Sequence, residues 1–130
     1  MTNATVSDTL NTAAYLIQIR GWGQGPSTWG DAEAQSRLCI EGAITAAAGV
    51  PMLTIQLSED DAPSMTPSRT ALEACPAYRA VHDYLQHREF SPLYIWNDQA
   101  GRTQEQVIEV LRAAAGIEEA KERKATEVEA

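Results

Sequence analysis

Residues 37–49 run Arg37-Leu38-Cys39-Ile40-Glu41-Gly42-Ala43-Ile44-Thr45-Ala46-Ala47-Ala48-Gly49, and the reading of this stretch decides the fold. On a helix its apolar side chains point to nearly every side. Only Arg37, Glu41 and Thr45 interrupt them, on one stripe at a spacing of four. A helix that is apolar almost all round is a buried one. Gly42 and Ala46 would let a neighbouring helix approach closely. The segment is therefore expected to be the central helix of the core. It should begin between Asp31 and Ser36 and stop at Gly49, with Cys39 through Ala47 enclosed.

The flanking segments supply what encloses it. Leu10, Ala13, Ala14 and Ile17 fall on one helical face. That helix should cover about 8–20, capped by Ser7 or Asp8 and closed by Gly21, with Trp22 folding back on Ile17. Leu53, Ile55 and Leu57 alternate with polar residues, as in a short strand. Thr66-Pro67 pairs a capping hydroxyl with a first-turn proline and announces a helix to about Ala74. Pro76 interrupts it. A further helix runs to about His87, with Tyr78, Val81, His82 and Leu85 on one face. Leu93 to Trp96 fits either a helical turn or a strand paired with 52–57. Thr103 and Gln106 form a capping-box pattern ahead of Val107, Val110, Leu111 and Ala114, and Gly116 can close that helix. Residues 117–130 are mostly Glu, Lys, Arg and Ala, and form either a charged helical extension or a disordered tail. The expected object is mainly α: one domain over 1–116, a compact bundle of four to five helices around a buried central helix. The last core helix should pack on that central helix, with a short two-stranded β ribbon as an option.

Composition narrows the function classes. The chain has 130 residues and a formal net charge of −8, which speaks against generic nucleic-acid binding, since that needs a basic face. No run of about 18 apolar residues is present, so no membrane span is expected. The first ten residues lack the basic start and apolar stretch of a signal peptide, and the cytoplasm is the default location. Cys39 and Cys75 fit reduced thiols there. Neither sits in a CxxC pair, and the only histidines are His82 and His87, so neither metal nor cofactor is expected. Gly21-Trp22-Gly23-Gln24-Gly25-Pro26 is glycine-rich, but no strand precedes it and no Lys-Ser/Thr follows, so it reads as a tight turn rather than a phosphate cradle.

Two groups of residues carry candidate chemistry. Trp96-Asn97-Asp98 with Arg102 places an aromatic, an amide, a carboxylate and a guanidinium where a loop enters a helix. With Trp22 and Gln24 opposite, they would wall a pocket for a small ligand or a peptide. The structural alternative is a turn held by the Asn97 and Asp98 side chains, with Asp98 pairing Arg102. Separately, Cys39, His82 and Asn97 follow the chain order of papain-like cysteine hydrolases, with Asp98 as a substitute for Asn97. Thiol, base and orienting amide would have to meet in space. Against that, a cysteine inside an apolar helix is usually a small buried hydrophobe, and a histidine on an apolar face usually bonds a carbonyl.

Gly21-Trp22, Cys39-Ile40-Glu41-Gly42-Ala43-Ile44, and Trp96-Asn97-Asp98 followed by Arg102-Thr103 occur in that order. In this the chain resembles an uncharacterised domain family of actinobacteria and their phages, over about 8–116. The resemblance implies a small, mainly helical cytoplasmic protein, often phage-borne, and assigns no activity, cofactor or catalytic residue. The expected function is a non-enzymatic accessory or regulatory protein that binds a protein partner or small ligand through the Trp96-Asn97-Asp98 loop. The alternative is the Cys39/His82/Asn97 hydrolase. A third reading, an acidic decoy for nucleic-acid-binding sites, rests only on Glu59-Asp60-Asp61.

Overall fold

The computed structural model describes residues 4–24, 37–55, 58–60, 64–86 and 93–129. Among them the order is α1 (Val6–Arg20), α2 (Ile40–Ala48), β1 (Met52–Ile55), β2 (Ser64–Pro67), α3 (Arg69–Ala74), α4 (Pro76–Gln86), α5 (Leu93–Asn97) and α6 (Gln104–Glu129). The chain is mainly helical, as expected, with the optional two-stranded antiparallel ribbon present, and the described residues hold six helices against the four or five expected. No helix of the described residues is long and apolar enough to cross a membrane.

The central segment is enclosed. Every residue from Leu38 to Thr45 is buried, and Ala46 is the first to emerge. The start of α2 differs from expectation. Cys39 is extended (φ −81, ψ 174) and caps the helix with its thiol, which accepts from the Gly42 N–H at 3.2 Å. The helix cannot begin earlier because Leu38 is engaged elsewhere. It forms a parallel bridge with Trp22, donating its N–H to the Gly21 carbonyl and accepting from the Gly23 N–H. Gly21 has φ +90, which a side chain would resist. The proposed start between Asp31 and Ser36 lies outside the described residues. The C-terminal stop is as expected: Gly49 adopts the left-handed conformation (φ 71, ψ 34).

Three other elements depart from the sequence reading. β1 pairs with β2 rather than with residues 93–96, in the register Met52↔Pro67 to Ile55↔Ser64. Thr66-Pro67 therefore ends a strand instead of starting a helix. A proline costs a ladder little at the end of an edge strand, and the Ser68 hydroxyl takes over as cap by accepting from the Ala71 N–H. Residues 93–97 form the helical turn of α5. Finally, α6 lies chiefly along α1 rather than on α2, and it runs through Gly116 to Glu129.

The contact between α1 and α6 explains why the last segment is helical. The first backbone N–H groups of a helix have no intrahelical acceptor. At α1, Thr5 and Asp8 form a capping box, in place of the cap expected at Ser7 or Asp8. The Glu122 carboxylate of α6 then accepts from the Ser7 hydroxyl at 2.5 Å and from the Ser7 N–H at 3.3 Å. A negative group is favourable at that end of the helix dipole. Replacing Glu122 with alanine is expected to lower the urea unfolding free energy by about 1–2 kcal/mol. Glu119→Ala, which loses an outward ion pair with Arg123, should change it by less than about 0.5 kcal/mol. Equal losses would contradict the docking.

Candidate functional site

The chain turns out of α5 at Asn97, and the turn is built from backbone bonds. Asp98 donates to the Tyr94 carbonyl and Arg102 to the Gln99 carbonyl, with Gly101 at φ +84. The Asn97 side chain points inward and is fully buried. Its Oδ1 accepts from the Trp22 indole Nε1 at 2.7 Å and from the Ile40 backbone N–H at 2.9 Å. Its Nδ2 donates to the Gly23 carbonyl at 3.2 Å and to Asp98 Oδ1 at 2.9 Å. Gln24 Nε2 reaches the carbonyls of Asn97 and Gln99, both at 3.0 Å, and the Trp22 N–H donates to Gln104 Oε1 at 3.1 Å. The structure thus brings Trp22, Gln24, Asn97 and Asp98 together, bonded to one another and to the backbone around them.

Trp96 and Arg102 form a separate pair on the other side of the turn. Trp96 is 2 % exposed. The Arg102 guanidinium lies over its ring at 4.0 Å from the centroid, donates Nε–H to the Trp96 carbonyl at 3.0 Å, and bonds Gln99 Oε1. Stacking on an aromatic face suits a planar, weakly hydrated cation. With Tyr84, Leu85, Gln106, Glu109 and Val110 the pair lines an open groove of about 320 Å³.

The hydrolase residues have other employment. Cys39 is buried as the α2 cap. An amide offers two acceptor sites and two protons, and all four on Asn97 are used, so nothing remains to orient an imidazole. His82 stacks against Tyr78, with centroids 6.1 Å apart at 26°. Among the described residues no group of three or more His, Cys, Asp or Glu side chains could hold a metal ion.

Sequence reasoning missed a third cluster. Glu41 belongs to the supposed polar stripe, yet it is fully buried, as is Thr45, and only Arg37 is exposed. The Glu41 carboxylate receives Arg69 Nη2 at 3.0 Å and Nη1 at 3.2 Å in bidentate fashion, and the Tyr78 hydroxyl at 3.0 Å. These bonds join α2, α3 and α4. Arg69 also lies 5.7 Å from the centre of the Tyr94 ring, on α5. A lone acid in an otherwise apolar helix was the available signal, because a buried charge must be paired.

Burial, then the Glu41 charge and its hydrogen bond, push the Tyr78 phenol well above its ordinary value. The folded protein therefore keeps a proton that the unfolded chain releases from about pH 10. Stability from this group is complete below that pH and is lost as pH rises above it. Tyr78→Phe is expected to cost about 1–2 kcal/mol at neutral pH and to make the alkaline loss of stability shallower in unfolding curves. Identical alkaline slopes in variant and wild type would contradict this arrangement.

No curated protein and no solved structure matches the chain. A family model does match, over residues 1–117, which takes in the Trp22–Asn97 cluster, the Glu41 cluster and the Trp96 groove. The chain belongs to the family of unknown function DUF6197.

Proposed function

We propose that this is a non-enzymatic accessory protein of actinobacteria or their phages, working in the cytoplasm, that acts by holding a protein partner in the groove beside Trp96 and Arg102. The observation that carries the reading is the composition of that groove. It sets Tyr84, Arg102 and the edge of the Trp96 pocket beside Gln106 and Glu109, in an open depression. Tyrosine and arginine are among the residues that dominate binding energy at protein interfaces, and the buried Trp96 ring is the platform that holds Arg102 in place. Trp96 and Arg102 are also held rigidly, so little ordering entropy is lost on binding. The fully committed Asn97 amide and the capping role of Cys39 favour this reading over the hydrolase. The net charge of −8 favours a partner that is not itself acidic.

The test replaces Tyr84 with a photo-crosslinking phenylalanine in the full chain, expressed in an actinobacterial cell. Tyr15 on the outer face of α1, 56 % exposed, is the control position. Discrete protein adducts are expected from position 84 and not from 15, and they should persist when Cys39→Ala is added. Equal adducts from both positions, or hydrolysis of a simple ester that vanishes in Cys39→Ala, would overturn the proposal.

A further inference from the structure

The groove beside Trp96 is followed along α4 and α6 by a second depression, and the two together are termed the furrow. The second depression is a cavity of about 270 Å³ where Ala80, Asp83 and Tyr84 of α4 face Ala114, Ile117 and Lys121 of α6. Tyr84 lines both. On α6 the lining residues Gln106, Val110, Ala114, Ile117 and Lys121 recur every three or four positions, so they form one stripe. At 1.5 Å per residue the stripe extends about 22 Å. That matches some four turns of an added helix.

The floor of the furrow is apolar and its rim is acidic. Ala80, Tyr84 and Val110 are half-buried in the floor, Ala114 is buried beneath it, and the large Ile117 side chain stands 45 % exposed. Asp83, Glu109 and Glu118 mark the rim. The two cations of the lining are engaged: Arg102 with Trp96 and Gln99, and Lys121 with Glu118 at 3.1 Å. Glu109 and Glu118 are nine residues apart on one helix, about 13 Å along its axis. Successive depressions along one helical stripe suit an amphipathic helix, anchored at i, i+3 or i+4, and i+7. A second copy of this chain is a poor occupant, since each carries a net charge of −8.

Resting on the binding role assigned to the Trp96 groove, we infer that the furrow between α4 and α6 receives a basic amphipathic helix of a partner protein. Its apolar face lies on Tyr84, Val110 and Ile117. Its lysine or arginine side chains meet Glu109 on the α6 side and Asp83 on the α4 side.

The test uses three synthetic helical peptides of about sixteen residues with one apolar face in common and basic, uncharged or acidic polar faces. Each is titrated into the full chain, with affinity read by calorimetry and location by backbone amide shifts. The basic peptide is expected to bind, weaken as salt is raised, and shift amides of Ala80, Tyr84, Val110, Ala114 and Ile117. Asp83→Lys with Glu109→Lys should weaken it about tenfold, whereas Glu127→Lys, an equal change of charge per site on the far end of α6, should leave it nearly unaltered. Equal weakening by Glu127→Lys, or shifts away from the furrow, overturns the inference as mere attraction to an acidic protein. Equal affinity for the uncharged peptide overturns the basic occupant while leaving the groove as a binding surface. No binding by any helix, with crosslinks from position 84 still forming, overturns the helix and spares the binding role.

Discussion

The Asn97 side chain is the point at which three otherwise separate stretches of chain are tied together. Its oxygen receives the Trp22 indole from the segment after α1 and the first backbone N–H of α2, and its nitrogen holds the Gly23 carbonyl. Each of these partners would be costly to bury alone. The first N–H groups of α2 have no acceptor within the helix. The indole would have to face an apolar core, and the glycine carbonyl sits beside a bridge rather than in a sheet. One amide satisfies them together, and it can do so only if the turn from α5 to α6 presents it at depth. The location of that turn, and with it the placement of Trp96 and Arg102 at the groove, follows from this knot.

The second constraint is Glu41. A carboxylate inside an apolar helix is tolerated when its charge is answered, and here Arg69 and Tyr78 answer it from two different helices. Removing one partner of such a pair leaves an uncompensated charge, which typically costs about 3–5 kcal/mol. The cluster therefore fixes how α3 and α4 sit against α2. That arrangement sets the angle of α4, and so the wall of the furrow to which Tyr84 and Asp83 belong. Both polar clusters hold the groove's walls without lining it.

Apolar periodicity made the helices legible in the sequence. Leu10, Ala13, Ala14 and Ile17, and Val107, Leu111 and Ala114, are buried as their spacing requires, while Val110, expected on the same face, is half-buried. Of the segment Cys39 through Ala47 expected inside, residues 39–45 are enclosed, Ala46 is exposed and Ala47 is half-buried. Long-range pairing was not legible. Glu41 at a spacing of four from Arg37 and Thr45 looks the same whether the stripe faces water or an arginine 28 residues away. The capping signature of Thr66-Pro67 was genuine local chemistry, but β1 captured the segment and moved the cap to Ser68. The start of α2 was set by a bridge from Trp22, which no window around residue 38 contains. In the candidate site, Trp22 and Gln24, expected to face the 96–98 loop across a pocket, are instead bonded directly to it. What the grouping could not reveal is that their polar atoms face each other. That requires counting donors and acceptors in three dimensions.

The central claim is that Asn97 is a structural tie rather than an orienting or ligand-binding group, and the most direct test is the unfolding free energy of Asn97→Ala in urea. The account predicts a loss of at least about 3 kcal/mol, since a fully paired buried amide is removed and an indole, a helix N–H and a carbonyl lose their partner. A loss below about 1 kcal/mol, the ordinary cost of altering an exposed turn, would contradict it.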